Sequence, residues 1–226
     1  MRKIARSLLV TVSLALGFGV NAHADDVTFL VVGKSGNSLP KNLSALVEDR
    51  GGVVLQALPQ IGVAVVSSAD ASFPEALQSV NSIKAVLPDR MFQLPEGEFQ
   101  IAADNPPNSG DDDFYFDLQH GHDTVNAPEA WEAGVTGAGV RVAVLDTGTD
   151  GSHPDLAPNY NFGLETSFLA APLPSTWHWH GTHTAGTIAA ADNAFGVIGV
   201  APDAEIFGVQ VCGFFGCPAS AIVPGI

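Results

Sequence analysis

"VRVAVLDTG", Val140 to Gly148, is the stretch on which the fold turns. Its first six residues form a nearly continuous apolar run, the pattern of a parallel strand buried on both faces rather than of a half-exposed one. The run gives way to Asp146-Thr147-Gly148, which reads as a turn. Open α/β sheets hold their functional groups just beyond the carboxyl ends of such strands. The stretch therefore predicts an α/β domain with Asp146 at the mouth of its sheet.

The neighbouring segments extend this pattern. "APEAWEAG", Ala127 to Gly134, reads as a helix with Pro128 in its first turn and Gly134 at its end. "GTHTAGTIAAA" is a small-residue helix expected to begin just after His180, and "EIFGVQV" is a further strand. Farther upstream, "VTFLVVG", "VVLQAL", "GVAVVSS" and "IKAVLPD" read as strands, with helices at "LPKNLSALVEDRGG" and "SFPEALQSVNS". This β-α-β-β-α-β order predicts a small α+β module of ferredoxin-like type over residues 25–94. Residues 95–117, "PEGEFQIAADNPPNSGDDDFYFD", read as an acidic linker, with Asp111-Asp112-Asp113 as a solvated spacer.

Composition sets limits on partners. With nine Lys and Arg against 24 Asp and Glu, the net charge of -15 opposes binding to nucleic acid or to anionic membrane surfaces. At the amino terminus, Arg2, Lys3 and Arg6 precede the apolar run "SLLVTVSLALGFGV" and then Ala22-His23-Ala24. Residues 1–24 are thus expected to be a cleaved secretory signal rather than an anchor, making the protein secreted or extracytoplasmic. In an oxidising compartment the only two cysteines, Cys212 and Cys217, are candidates for a disulfide; the alternative is two free thiols.

The chemistry-bearing residues begin with Asp146. Taken alone, it reads as a turn-former bonded to its own backbone. An Asp-Thr-Gly also occurs in aspartic proteases, but their mechanism needs two carboxylates sharing a proton, and no second such tripeptide is present. His180 follows 34 positions later, in "STWHWHGTHTAGT". That separation lets the chain leave the strand and return a helix N-terminus beside its end. A histidine there can give one ring N–H to a carboxylate and offer its other nitrogen as a base. The rival reading makes His178, His180 and His183 metal ligands, although no His-Glu-x-x-His pattern accompanies them.

Taken together, "VAVLDTGTDGSHPDL", "HGTHTAGTIAA" and "GVIGVAPDAEIFGVQV" resemble the subtilisin-like serine proteases, or subtilases, over roughly Val125 to Ile226. The resemblance implies a serine endopeptidase whose parallel-sheet domain starts near residue 118. Asp146 and His180 match the family's catalytic Asp and His, in the family's order. Residues 25–94 look like the subtilase propeptide, a folding helper and intramolecular inhibitor, which makes 95–117 the processing region. Asp155 and Asn193 match positions that bind a structural calcium with loop carbonyls near Ala191, Phe195 and Val197; no catalytic cofactor is implied. "VCGFFGCP" matches the region that pairs an extended protein or peptide substrate as an added strand. The family's serine motif has no counterpart. Ser152, Ser167, Ser175 and Ser220 lie in loops or at a helix start, and Ser220 is expected to cap the last helix. The chain as given is therefore expected to be inactive on its own. The alternative is a non-catalytic fragment acting as a propeptide-type inhibitor or folding helper.

Overall fold

The computed structural model describes residues 26–35, 38–94 and 111–226. The expected signal segment 1–24 and the linker as far as residue 110 lie outside the described residues.

The amino-terminal unit is an antiparallel sheet with two helices. Its elements are β1 (Val27–Gly33), α1 (Leu43–Glu48), β2 (Gly52–Leu58), β3 (Val63–Ser68), α2 (Phe73–Gln78) and β4 (Ile83–Pro88), with sheet order β2-β3-β1-β4. β1 pairs antiparallel with both β3 and β4. Leu43 and Val47, one helical turn apart on α1, and Phe73 and Leu77 on α2 meet Phe29, Val31, Val66 and Val86 of the sheet in one core. Each such fully buried side chain contributes about 2 kcal/mol. Arg50 ties the two helices together, donating to Leu46 O and Ala76 O. Pro59 opens the short 3-10 turn between β2 and β3, and Gly62, at φ 67°, closes it in the left-handed region.

Beyond the linker come α3 (His120–Thr124), α4 (Ala127–Glu132), β6 (Arg141–Asp146), β7 (Thr166–Ser167), α5 (Trp179–Ala189) and β8 (Glu205–Gln210). β6, β8 and β7 form a parallel sheet in that order, with Asp146 opposite Gln210. Ala185 and Ala189 let α5 lie close on the sheet, against Val144 and Ile206. One expectation is corrected: β6 is not buried on both faces, since Arg141 and Ala143 are exposed and β8 is its one partner among the described residues.

A short strand, β5 (Met91–Phe92), leaves the amino-terminal unit and pairs antiparallel with β9 (Cys217–Pro218). β9 leads into α6 (Ala219–Gly225), and Ala219 N donates to Arg90 O. The Asp89 carboxylate accepts from both the N–H and the hydroxyl of Ser220. Ser220 therefore does not cap its own helix, as had been expected; it is the donor to a carboxylate from the other unit. Among the described residues no helix is long and apolar enough to cross a membrane.

Candidate active site

Asp146 ends β6 in a buried position, and the turn after it is held from several sides. Its carboxylate accepts from Thr147 N at 2.6 Å and from Thr184 Oγ1 at 3.3 Å. Thr147 O accepts from Trp177 Nε1 and Gln210 Nε2, while Thr147 Oγ1 accepts from Gly181 N. Glycine is required at position 181, because a Cβ there would lie 2.0 Å from Gly148 O. The bare backbone lets the first turn of α5 approach the strand end.

That approach brings His180 to Asp146. His180 Nδ1 lies 2.8 Å from both carboxylate oxygens, and the ring is 22% exposed against 8% for the aspartate side chain. The facing carboxylate assigns the proton to Nδ1, which leaves the Nε2 lone pair free. Such an arrangement can take a proton from an acidified hydroxyl and stabilise the resulting imidazolium. Among the described residues no serine hydroxyl hydrogen-bonds His180. Ser152 donates to Asp150, Ser167 to Gln210 and Ser220 to Asp89.

The other two histidines separate from His180. His178 is the N-cap of α5, its Nδ1 accepting from His180 N. His183 is exposed, with its ring edge-on to Trp179. The three do not form a metal cage: among the described residues, groups of three or more converging ligands contain only Asp111, Asp112, Asp113 and Asp192.

Of the calcium candidates, Asp155 lines one cavity with Thr182, His183, Gly186 and Thr187 of α5. Asp155 is 3% exposed; its Oδ2 accepts from Val197 N, and its Oδ1 has no partner. Asn193 Oδ1 accepts from Phe195 N. Asp113, expected in a solvated spacer, is instead 4% exposed: its Oδ1 accepts from the same Phe195 N–H, and its Oδ2 has no partner. Burial, then the neighbouring Asp111 carboxyl, pushes the Asp113 carboxyl up to about 6. Two buried carboxylate oxygens without donors fit a hard cation better than they fit a packed loop. The sequence signal for Asp113 was the aspartate run itself, which does not say which member turns inward.

Cys212 and Cys217 are joined by a disulfide that closes the loop carrying Phe214 and Phe215. Both rings are exposed, and Phe214 lies edge-on to Trp177, 4.8 Å between centroids. The loop thus reaches the segment that leads into α5. This contact was not legible from the spacing of the motifs.

Residues 137–223 match the Subtilase family of peptidases. Subtilisin BL of Lederbergia lenta is 49% identical over 104 residues, 45% of this chain and 37% of that protein. The major intracellular serine protease of Bacillus subtilis is 45% identical over 101 residues, 43% of this chain and 31% of that protein. The crystal structure of fervidolysin from Fervidobacterium pennivorans, a keratinolytic enzyme related to subtilisin, superposes with a TM-score of 0.55 at 26% identity, covering 82% of this chain and 30% of that one. The chain spans less than half the length of these relatives. The parallel sheet, the strand-end aspartate and the start of α5 all lie within the matched segment, so residues 137–223 are similar to the Subtilase family of subtilisin-like serine proteases.

Proposed function

We propose that the chain carries the base and orienting carboxylate of a Ser-His-Asp endopeptidase, within a precursor made of signal (1–24), propeptide (25–94), processing region (95–117) and the start of the peptidase domain (118–226). One observation carries the reading: the bifurcated 2.8 Å contact of His180 Nδ1 with Asp146, which leaves Nε2 open. Asp146 holds the tautomer and stabilises the imidazolium. His180 takes the serine proton as base and returns it to the leaving amine as acid. None of Ser152, Ser167, Ser175 or Ser220 is the nucleophile in this reading, so residues 1–226 alone do not hydrolyse peptides.

The β5–β9 pairing supports an inhibitory role for the amino-terminal unit, whose element order fits the ferredoxin-like propeptide type. Met91 and Phe92 take up main-chain groups of β9 that an extended protein substrate would use. The same pairing favours the second reading, in which this unit acts by itself as inhibitor or folding helper. Asp113, Asp155 and Asn193, with carbonyls of the 191–197 loop, would hold a calcium ion, which would neutralise the buried carboxylates. The role is structural, and no step of catalysis passes through it. Export of the protein follows from the proposed signal.

The test is peptide hydrolysis by the polypeptide that joins this segment to a serine nucleophile. His180→Ala and Asp146→Asn should each lower kcat by about 10⁴-fold. Retention of activity in His180→Ala removes the reading.

A further inference from the structure

His178 occupies a position where helices ordinarily carry Ser, Thr, Asp or Asn. It has extended backbone, φ -143° and ψ 139°, and its Nδ1 accepts from His180 N at 3.1 Å. The imidazole contacts two indoles: Trp179 stacks on it at 25° with centroids 5.4 Å apart, and Trp177 lies tilted at 52°, 5.0 Å away. The bond it accepts comes from the backbone of the same residue whose ring faces Asp146. The other caps on offer, serine or asparagine, keep their acceptor at every pH. An imidazole keeps it only while neutral, because both nitrogens of the protonated ring are donors. A positive ring at the amino end of α5 is also opposed by the helix dipole.

We propose that His178 is a pH-gated positioning residue. Neutral His178 locks the first turn of α5 so that His180 stays on Asp146; protonated His178 releases the turn and loosens the pair. The inference rests on the Asp146–His180 reading above and adds to it a residue that touches neither substrate nor reacting atoms. His178 shares a cavity of about 780 Å³ with Asp150, His153, Asp155, Tyr115 and His183, and its ring centroid is 6.3 Å from that of His180. Asp150, Asp155, His153 and His183 are the titratable side chains, with Tyr115, that face this cavity beside His178. The His178 titration is therefore read from the His178 resonance itself.

The test compares the 226-residue chain with His178→Asn and His178→Ala by NMR from pH 5 to 8. Two signals are followed: hydrogen exchange of the His180 amide, and the low-field Nδ1 proton of His180. Above the His178 titration, wild type and His178→Asn should protect the amide equally, and His178→Ala should exchange about tenfold faster. As pH falls through the His178 titration, wild type should lose protection and the low-field proton should broaden, whereas His178→Asn should change in neither. Should His178→Ala fail to fold, the wild type against His178→Asn contrast still decides. Parallel pH dependence in those two proteins overturns the gate. An unchanged low-field proton after loss of amide protection overturns the positioning role. Amide protection reads the cap alone and peptide hydrolysis by His180→Ala reads the triad, so either claim can fail without the other.

Discussion

Ser220 presents its backbone N–H, at 2.9 Å, and its hydroxyl to the two oxygens of Asp89, so the last residues of the amino-terminal unit hold the start of α6. Together with the β5–β9 ladder this is a polar clamp between the two units. Hydrogen bonds to a charged acceptor contribute about 1.5–3 kcal/mol each when well made. Asp89→Ala should therefore lower the unfolding free energy in urea by about 2 kcal/mol. Asp89→Asn, which keeps one acceptor, should cost less. A difference below about 0.5 kcal/mol for Asp89→Ala would show that the clamp contributes little.

A methyl group at position 181 would collide with main chain rather than with a side chain that can swing away, because Gly148 O lies 2.0 Å from the built Cβ. Gly181→Ala should shift the first turn of α5 away from the strand end and cost about 1–3 kcal/mol. The Asp146–His180 contact should be lost with it, seen as disappearance of the low-field His180 proton. Gly186→Ala on the same helix meets nothing within 4 Å and serves as the control.

The Asp113 carboxyl titrates near 6, raised first by burial and then by Asp111. A raised carboxyl contributes stability that is complete below its unfolded value, near 4, and is lost as pH rises through the folded value. In chelator, the chain should thus lose stability between about pH 4 and pH 6 on account of this group, and Asp113→Asn should flatten that fall. Calcium should act in the opposite sense, because it favours the charged form. At about 100-fold over Kd it should add about 2.7 kcal/mol at pH 7. No calcium-dependent rise in melting temperature, or an equal rise in Asp155→Ala, would remove the proposed cation site.

The Cys212–Cys217 bridge closes a short loop, for which chain-entropy arguments give about 2 kcal/mol. Cys212→Ser with Cys217→Ser should lower stability by about that amount and leave Phe214 free of Trp177, read as a change in indole fluorescence. Two titratable thiols in the oxidised, denatured wild type would contradict the bridge.

Some of this architecture is legible in the chain because it is local. Short β-branched runs punctuated by Gly51, Gly62 and Pro59 mark the strands and helices of the amino-terminal unit, and the apolar run ending at Asp146 marks the mouth of the sheet. The pair Asp146–His180 is legible through the resemblance of "VAVLDTGTDGSHPDL" and "HGTHTAGTIAA" to the subtilases; the separation of 34 positions by itself only permits a strand end and a helix start to meet. The rest depends on contacts that periodicity does not encode. Asp89 and Ser220 are 131 positions apart. Asp113 turns inward while Asp112 beside it stays exposed, because the backbone N–H of Phe195, 82 positions on, draws its carboxylate in. His178, between Trp177 and Trp179, reads in sequence as part of the loop approaching α5, and only the placement of His180 N exposes it as the cap.

The central claim is that Asp146 holds His180 with its proton on Nδ1, leaving Nε2 as the base. The imidazole ¹⁵N shifts of His180, measured in the neutral state of the folded chain, test this most directly. The account predicts a protonated Nδ1 and an unprotonated Nε2, with that preference lost in Asp146→Asn. A neutral His180 carrying its proton on Nε2, or one unchanged by Asp146→Asn, would contradict it.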